Sequence, residues 1–149
     1  MDPRVRHGKA KQMNPLKRMQ ALGQSPWHDN ISRDQLESGH LVRMVSDGDI
    51  TGLTSNPTIF KQAISGSDDY DASIRVHAQR GASAEEIFYA LAIEDIQSAA
   101  DIFLPVYDRS ACLDGFVSLE VSPRLAHETE ASVHEAMQIW QRVERPNLM

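Results

Sequence analysis

Two carboxylates, Asp29 and Glu120, stand in separate apolar stretches of this 149-residue chain. Converging in one pocket, they could divide acid and base work, with burial and mutual charge pushing their pKa values apart. Glu120 lies in Gly115-Phe116-Val117-Ser118-Leu119-Glu120-Val121-Ser122-Pro123. Burying a carboxylate among such neighbours is costly unless it is paired, so the functional reading is the stronger one there. Asp29, just before Ile31, reads equally well as a turn or cap residue. Asn56 ahead of Pro57 is a good helix cap in its own right. Thr54 and Ser55 could be strand-end residues that bond the local backbone.

Other chemistries are poorly supplied. The six histidines show no ligand spacing; His127 and His134 are seven apart with no carboxylate as a third ligand, so no metal is expected. Cys112 is the only cysteine, which excludes an internal disulfide and a cysteine-cluster zinc site. Its one basic neighbour is Arg109, too little to expect a reactive thiol. Trp27 and Trp140 read as core anchors. No stretch is apolar for long enough to span a bilayer, and no secretory signal opens the chain, so a reduced cytosolic compartment is the default. The formal charge is −6, unevenly spread: residues 1–18 carry six cationic side chains against Asp2 alone. That basic start lacks aromatic residues to stack bases, and the acidic remainder repels phosphate backbones, so nucleic acid is not an expected partner.

The elements that must position these residues alternate in type. Residues 1–12 read as a disordered basic leader, followed by the domain at 13–149. Asn14-Pro15 starts a helix that Gly23 closes. A brief strand at 25–31 follows. The capping box Ser32–Gln35 then opens a helix running to about Ser46, with Leu36, His40, Leu41, Met44 and Val45 on one face. Ile50–Thr54 reads as a second strand, and Asn56-Pro57 as a second cap-plus-proline start, with Ile59, Phe60 and Ile64 turned inward. A helix from about Asp69 stops at Gly81. Ser83–Glu86 is another capping box, and Phe88, Ala92, Ile96, Ala99 and Phe103 line one face of a long helix that Pro105 should kink or end. Residues 115–123 alternate as the clearest strand. A final helix from about Glu128 to Val143 carries Val133, Ala136, Met137 and Trp140, and residues 146–149 look like the start of one more strand. Alternating strands and helices without hairpin signals argue for βα units around a parallel sheet, with chemistry where strands give way to loops.

The residues at those strand ends carry a resemblance. Trp27-His28-Asp29-Asn30-Ile31-Ser32-Arg33 resembles the first active-site strand of transaldolases. Gly52-Leu53-Thr54-Ser55-Asn56-Pro57-Thr58-Ile59-Phe60 is similar to that family's Thr-Ser/Thr-Asn-Pro signature. Val117-Ser118-Leu119-Glu120-Val121-Ser122-Pro123-Arg124-Leu125, with Glu128–Ser132 behind it, resembles the third-strand motif and its helix. The likeness runs from about Asn14 to Met149, and three motifs in order make it specific.

The resemblance implies a (β/α)8 barrel and Schiff-base aldol chemistry. A lysine would form an imine with a ketose phosphate such as sedoheptulose 7-phosphate or fructose 6-phosphate, and the dihydroxyacetone unit would pass to an aldose phosphate. Carried over by residue, Asp29 would take the sugar hydroxyl proton as the carbon–carbon bond breaks. Glu120 would move protons through water during imine formation, and Thr54 and Asn56 would hydrogen-bond the dihydroxyacetone unit. No metal or organic cofactor is implied. The family's lysine lies on the fourth strand, just beyond a segment like Pro146–Met149. The lysines here are Lys9, Lys11, Lys17 and Lys61, none of them on a fourth strand. A barrel typically needs roughly 250 residues. The expectation is therefore a barrel truncated after about three βα units, inactive alone. Its open sheet edges would favour self-association or a complementary C-terminal half.

Overall fold

The computed structural model describes residues 14–149; the leader expected at 1–12 lies outside them. Helix α1 (Pro15–Ala21) starts where Asn14 accepts from the Leu16 N–H at 3.0 Å, with proline in the first turn. Strand β1 (Trp27–Asp29) follows. The helix expected over 32–46 is two helices, α2 (Arg33–Glu37) and α3 (His40–Ser46). Gly39 divides them at φ 72°, a left-handed conformation that interrupts the helical backbone. Strand β2 (Gly52–Thr54) leads through the Asn56 cap into α4 (Pro57–Gly66). A single 3-10 turn (Asp68–Tyr70) precedes α5 (Asp71–Gln79).

Helix α6 (Ala84–Arg109) begins with the expected capping box, in which the Ser83 N–H donates to Glu86 at 2.7 Å and Glu86 N–H to the Ser83 hydroxyl at 3.3 Å. Of its predicted face, Ala92, Ile96, Ala99 and Phe103 are fully buried and Phe88 packs against them. Pro105 does not end it. Val106 beyond the proline packs on the same core, and burial of that last turn offsets the missing backbone bond.

The sheet is parallel. Trp27 pairs with Gly52, His28 with Leu53 and Asp29 with Thr54. The segment predicted as the clearest strand pairs only around Val117, bridging Leu53 on one side and Leu148 on the other, both in parallel. Its backbone bonds run from Gly115 N to Thr51 O, Leu53 N to Phe116 O, Val117 N to Asn147 O and Met149 N to Val117 O. Four extended segments thus lie side by side, at 27–29, 52–54, around 117 and around 148, with helices over them. This is an α/β chain with parallel strands, as expected from the alternation. The core is Ile31, Leu41, Leu53, Phe60, Ile96, Phe103, Val117 and Val143 among others.

Helix α7 (Thr129–Val143) departs from its sequence pattern. The residues read as its buried face are outside: Val133 is 55% exposed, Met137 58% and Trp140 51%, so Trp140 is no core anchor. The buried side chains are Ile139 and Val143, roughly a quarter-turn round the helix. There Gln97 of α6 donates to the carbonyls of Arg142 and Val143, each at 3.2 Å. The helix has two apolar stripes, and only the one facing α6 is covered by described residues. Among these residues no helix is long and apolar enough to cross a membrane.

Candidate active site

Parallel pairing puts the C-terminal ends of the extended segments at one end of the sheet. Asp29 is the last residue of β1 and stands in register with Thr54, the last of β2. Asn56 caps α4 two residues further on, and Glu120 follows the Val117 pairing by three. Asp29, Asn56 and Glu120 line one open cleft of about 560 Å³, closed on other sides by Pro57, Thr58, Ile59 and Pro123. The two carboxylates converge on one pocket, as their places at strand ends suggest.

The burial expected to drive them apart is not present. Asp29 and Glu120 are both exposed. The alternation that marked Glu120 as an interior carboxylate fails because pairing ends near Leu119, and the chain then turns into the 3-10 turn Pro123–Leu125. Two groups fix that turn. The Ser122 N–H donates to Glu135 of α7 at 2.5 Å, and the Tyr89 hydroxyl of α6 donates to the same carboxylate at 3.3 Å. Burial, with the Glu135 charge beside it, pushes the Tyr89 phenol up to about 12.

The polar residues between the carboxylates are held individually. Asn56 Oδ1 accepts from the N–H groups of Thr58 and Ile59, both at 3.0 Å. Its capping role occupies the oxygen and leaves the amide NH2 for a ligand. Thr54 does not line the cleft; its Oγ1 accepts from the Ser118 hydroxyl at 3.0 Å. Ser55 is fully buried and donates not to the local backbone but to the Ser118 carbonyl, 63 residues away, at 2.8 Å. Ser55 and Ser118 together staple the end of β2 to the segment that carries Glu120. Sequence reasoning missed Ser118 and Glu135, since nothing local marks a partner 64 or 13 residues distant.

Of the lysines, Lys17 and Lys61 are among the described residues, and neither lines this cleft. Lys61 borders a separate apolar cavity of about 330 Å³ with Ile64, Ile74, Ile87 and Leu91. No group of three or more His, Cys, Asp or Glu side chains among the described residues is placed to hold a metal ion. Cys112 is free and exposed.

Comparison with known proteins matches the sequence to one family. The family model described as transaldolase/fructose-6-phosphate aldolase matches residues 26–149. A protein named transaldolase from Saccharopolyspora erythraea is 48% identical over 134 residues, 90% of this chain and 36% of the relative. Transaldolases from Thiobacillus denitrificans and Mycobacterium ulcerans are 45% and 40% identical over 92% and 94% of this chain. In both cases the matched part is 38% of the relative, so this chain spans little more than a third of the length of the relatives it matches. With a family model over most of its length and close relatives along nine-tenths of it, this chain belongs to the transaldolase/fructose-6-phosphate aldolase family.

Proposed function

We propose that this chain supplies the Asp29–Asn56–Glu120 side of a transaldolase-type site, which moves a dihydroxyacetone unit between sugar phosphates such as sedoheptulose 7-phosphate and fructose 6-phosphate. The observation that carries this reading is the convergence of Asp29, Asn56 and Glu120 on one cleft at the C-terminal end of a parallel sheet. Active sites of β/α barrels lie at that end. In this chemistry an amine condenses with the ketose carbonyl, losing water, and Glu120 relays the protons of that step. The protonated imine then accepts the electron pair as the carbon–carbon bond breaks. Asp29 takes the proton from the adjacent hydroxyl, which leaves as the aldose carbonyl. The free NH2 of Asn56 donates to a hydroxyl of the dihydroxyacetone unit. Thr54, outside the cleft, accepts from the Ser118 hydroxyl and so helps hold the segment that carries Glu120.

The amine has to come from elsewhere, because no lysine among the described residues lines the cleft. The described residues therefore supply the substrate-binding and proton-handling side of such a site. Asn56→Asp tests the binding half. Aspartate still caps α4, so the fold is kept, but the amide donor is gone. Fructose 6-phosphate at millimolar concentration should shift the Asn56 side-chain amide resonance and the Glu120 backbone resonance. Asn56→Asp should abolish the Glu120 shift. Unchanged resonances in the unaltered protein would refute the binding role. Borohydride with fructose 6-phosphate should trap no covalent adduct on this chain, and a stoichiometric adduct at Lys61 would overturn the claim that the amine is missing.

A further inference from the structure

Asp29 and Glu120 stand at the cleft with their side chains exposed, so where they point depends on the backbone that carries them. Strand pairing does not reach far past either one. Strand β1 ends at Asp29 itself, and the backbone bonds of the other segment end near Leu119. Beyond Asp29 the chain passes through Asn30, Ile31 and Ser32 into α2. Beyond Glu120 it passes through Val121 and Ser122 into the 3-10 turn Pro123–Leu125.

A tyrosine and a carboxylate hold the backbone at the far end of each loop. The Arg33 N–H, four residues past Asp29, has no partner within the first turn of α2. It donates to the Tyr70 hydroxyl at 3.0 Å, which in turn donates to Asp95 at 2.7 Å. The Ser122 N–H, two residues past Glu120, donates to Glu135 at 2.5 Å, and the Tyr89 hydroxyl donates to the same carboxylate at 3.3 Å. Burial, with the partner carboxylate beside it, pushes both phenols up, so each hydroxyl keeps the proton it donates. The two pairs also share a support. Asp95 and Tyr89 lie six residues apart on α6, a span of about 9 Å along the helix axis. Between them Leu91, Ala92 and Ile93 are buried, so α6 sits against the core as a stiff rod.

We propose that Tyr70 with Asp95, and Tyr89 with Glu135, are positioning pairs: each fixes the backbone just past one carboxylate of the cleft, and α6, which supplies one member of each, sets the separation of Asp29 and Glu120. This rests on the reading of the cleft as a transaldolase-type site and names what holds its two proton-handling groups apart. None of the four residues touches substrate; they act through the Arg33 and Ser122 backbone. The test uses nitrogen-15 relaxation of the amides, followed by titration with fructose 6-phosphate. Tyr70→Phe keeps the ring and the Arg33–Asp95 ion pair, so the fold is retained. It should lower the order parameter at residues 30–33 from about 0.85 toward about 0.6 and leave residues 119–122 unchanged. Glu135→Ala should do the reverse, and Glu135→Gln, whose amide oxygen still accepts from Ser122, should restore order there. With fructose 6-phosphate, Tyr70→Phe should cut the Asp29 amide shift at least twofold and spare that of Glu120, and Glu135→Ala should do the opposite. Both loops loosening together in either variant, neither loosening, or a Glu135→Gln protein that behaves as Glu135→Ala would each overturn the proposal. Loops that loosen separately in a protein whose unaltered form shows no shift with fructose 6-phosphate would leave the positioning pairs standing and refute the functional reading instead.

Discussion

Truncating Asp95 to alanine should remove a large part of this chain's stability. The residue is 2% exposed, on α6. Its Oδ1 accepts from Arg33 Nε at 3.1 Å and from a terminal guanidinium nitrogen at 3.0 Å, and its Oδ2 from the Tyr70 hydroxyl at 2.7 Å. The same hydroxyl accepts from the Arg33 backbone N–H at 3.0 Å, and the guanidinium lies 4.6 Å from the Tyr70 ring centroid. These contacts clasp the start of α2, four residues past Asp29, to α6 and to the 3-10 turn.

Without the carboxylate, the Tyr70 proton has no acceptor in a pocket where its ring is 1% exposed. An unsatisfied buried hydroxyl costs about 1–3 kcal/mol. The charged hydrogen bonds to Arg33 contribute about 1.5–3 kcal/mol more, limited because Arg33 keeps Glu94 at 2.9 Å and Ser73 at 3.2 Å. The loss should be about 3–5 kcal/mol, the range for breaking a buried ion pair from one side. Tyr70→Phe removes only the hydroxyl and should cost about 1–3 kcal/mol. Urea unfolding followed by circular dichroism measures both. A loss under about 1 kcal/mol for Asp95→Ala would refute the clasp. The pH dependence adds a second check. Burial raises the Asp95 carboxyl above its ordinary 3.8, against the Tyr70 hydrogen bond and the Arg33 charge. A raised acid contributes stability that is complete below the ordinary value and is lost as pH rises through the folded one. Asp95→Asn lacks that titration, so its deficit against the unaltered protein should be largest in acid and shrink as pH rises.

Gly115→Ala should cost about 2–5 kcal/mol in the same urea assay: φ is +85°, and an added Cβ would lie 2.3 Å from the Tyr107 backbone nitrogen. Glu144→Gly should do the reverse, because Glu144 ends α7 at φ 51°. Relief of that strain, less the added freedom of the unfolded chain, should raise stability by about 0.5–1 kcal/mol and lift Tm. Tyr89 should ionise near pH 12 in an ultraviolet phenolate titration, and Glu135→Gln should bring it down by removing the adjacent charge. Since the phenol is raised, the stability it contributes is complete below pH 10 and is lost as pH climbs through 12.

Elements whose signals are local were legible. Asn14-Pro15, Asn56-Pro57 and the Ser83 capping box each name a helix start within four residues, and each is where the structure has it. What failed depended on neighbours. Residues 115–123 alternate over nine positions but pair only near Val117, because β2 is three residues long and offers no ladder beyond Thr54. The face of α7 was misassigned because Val133, Met137 and Trp140 are as apolar and as regularly spaced as a core stripe. Periodicity says which residues share a face, not whether another element covers it. The site residues were legible as a set because parallel strands deliver their C-terminal residues to one end. The hydroxyl staple of Ser55 and Ser118 was not, since it joins residues 63 apart through the fold.

The exposure of Asp29 and Glu120 bears on how they can share acid and base work. Two carboxylates acquire separate roles only where water is excluded and their environments differ. Among the described residues the cleft that holds them is open and both side chains are exposed. A sugar phosphate seated between them supplies part of that exclusion. Hydrogen exchange at residues 118–121 should therefore slow when fructose 6-phosphate binds. Exchange there that stays unchanged at saturating fructose 6-phosphate would leave the two carboxylates without the dry setting their division of labour requires.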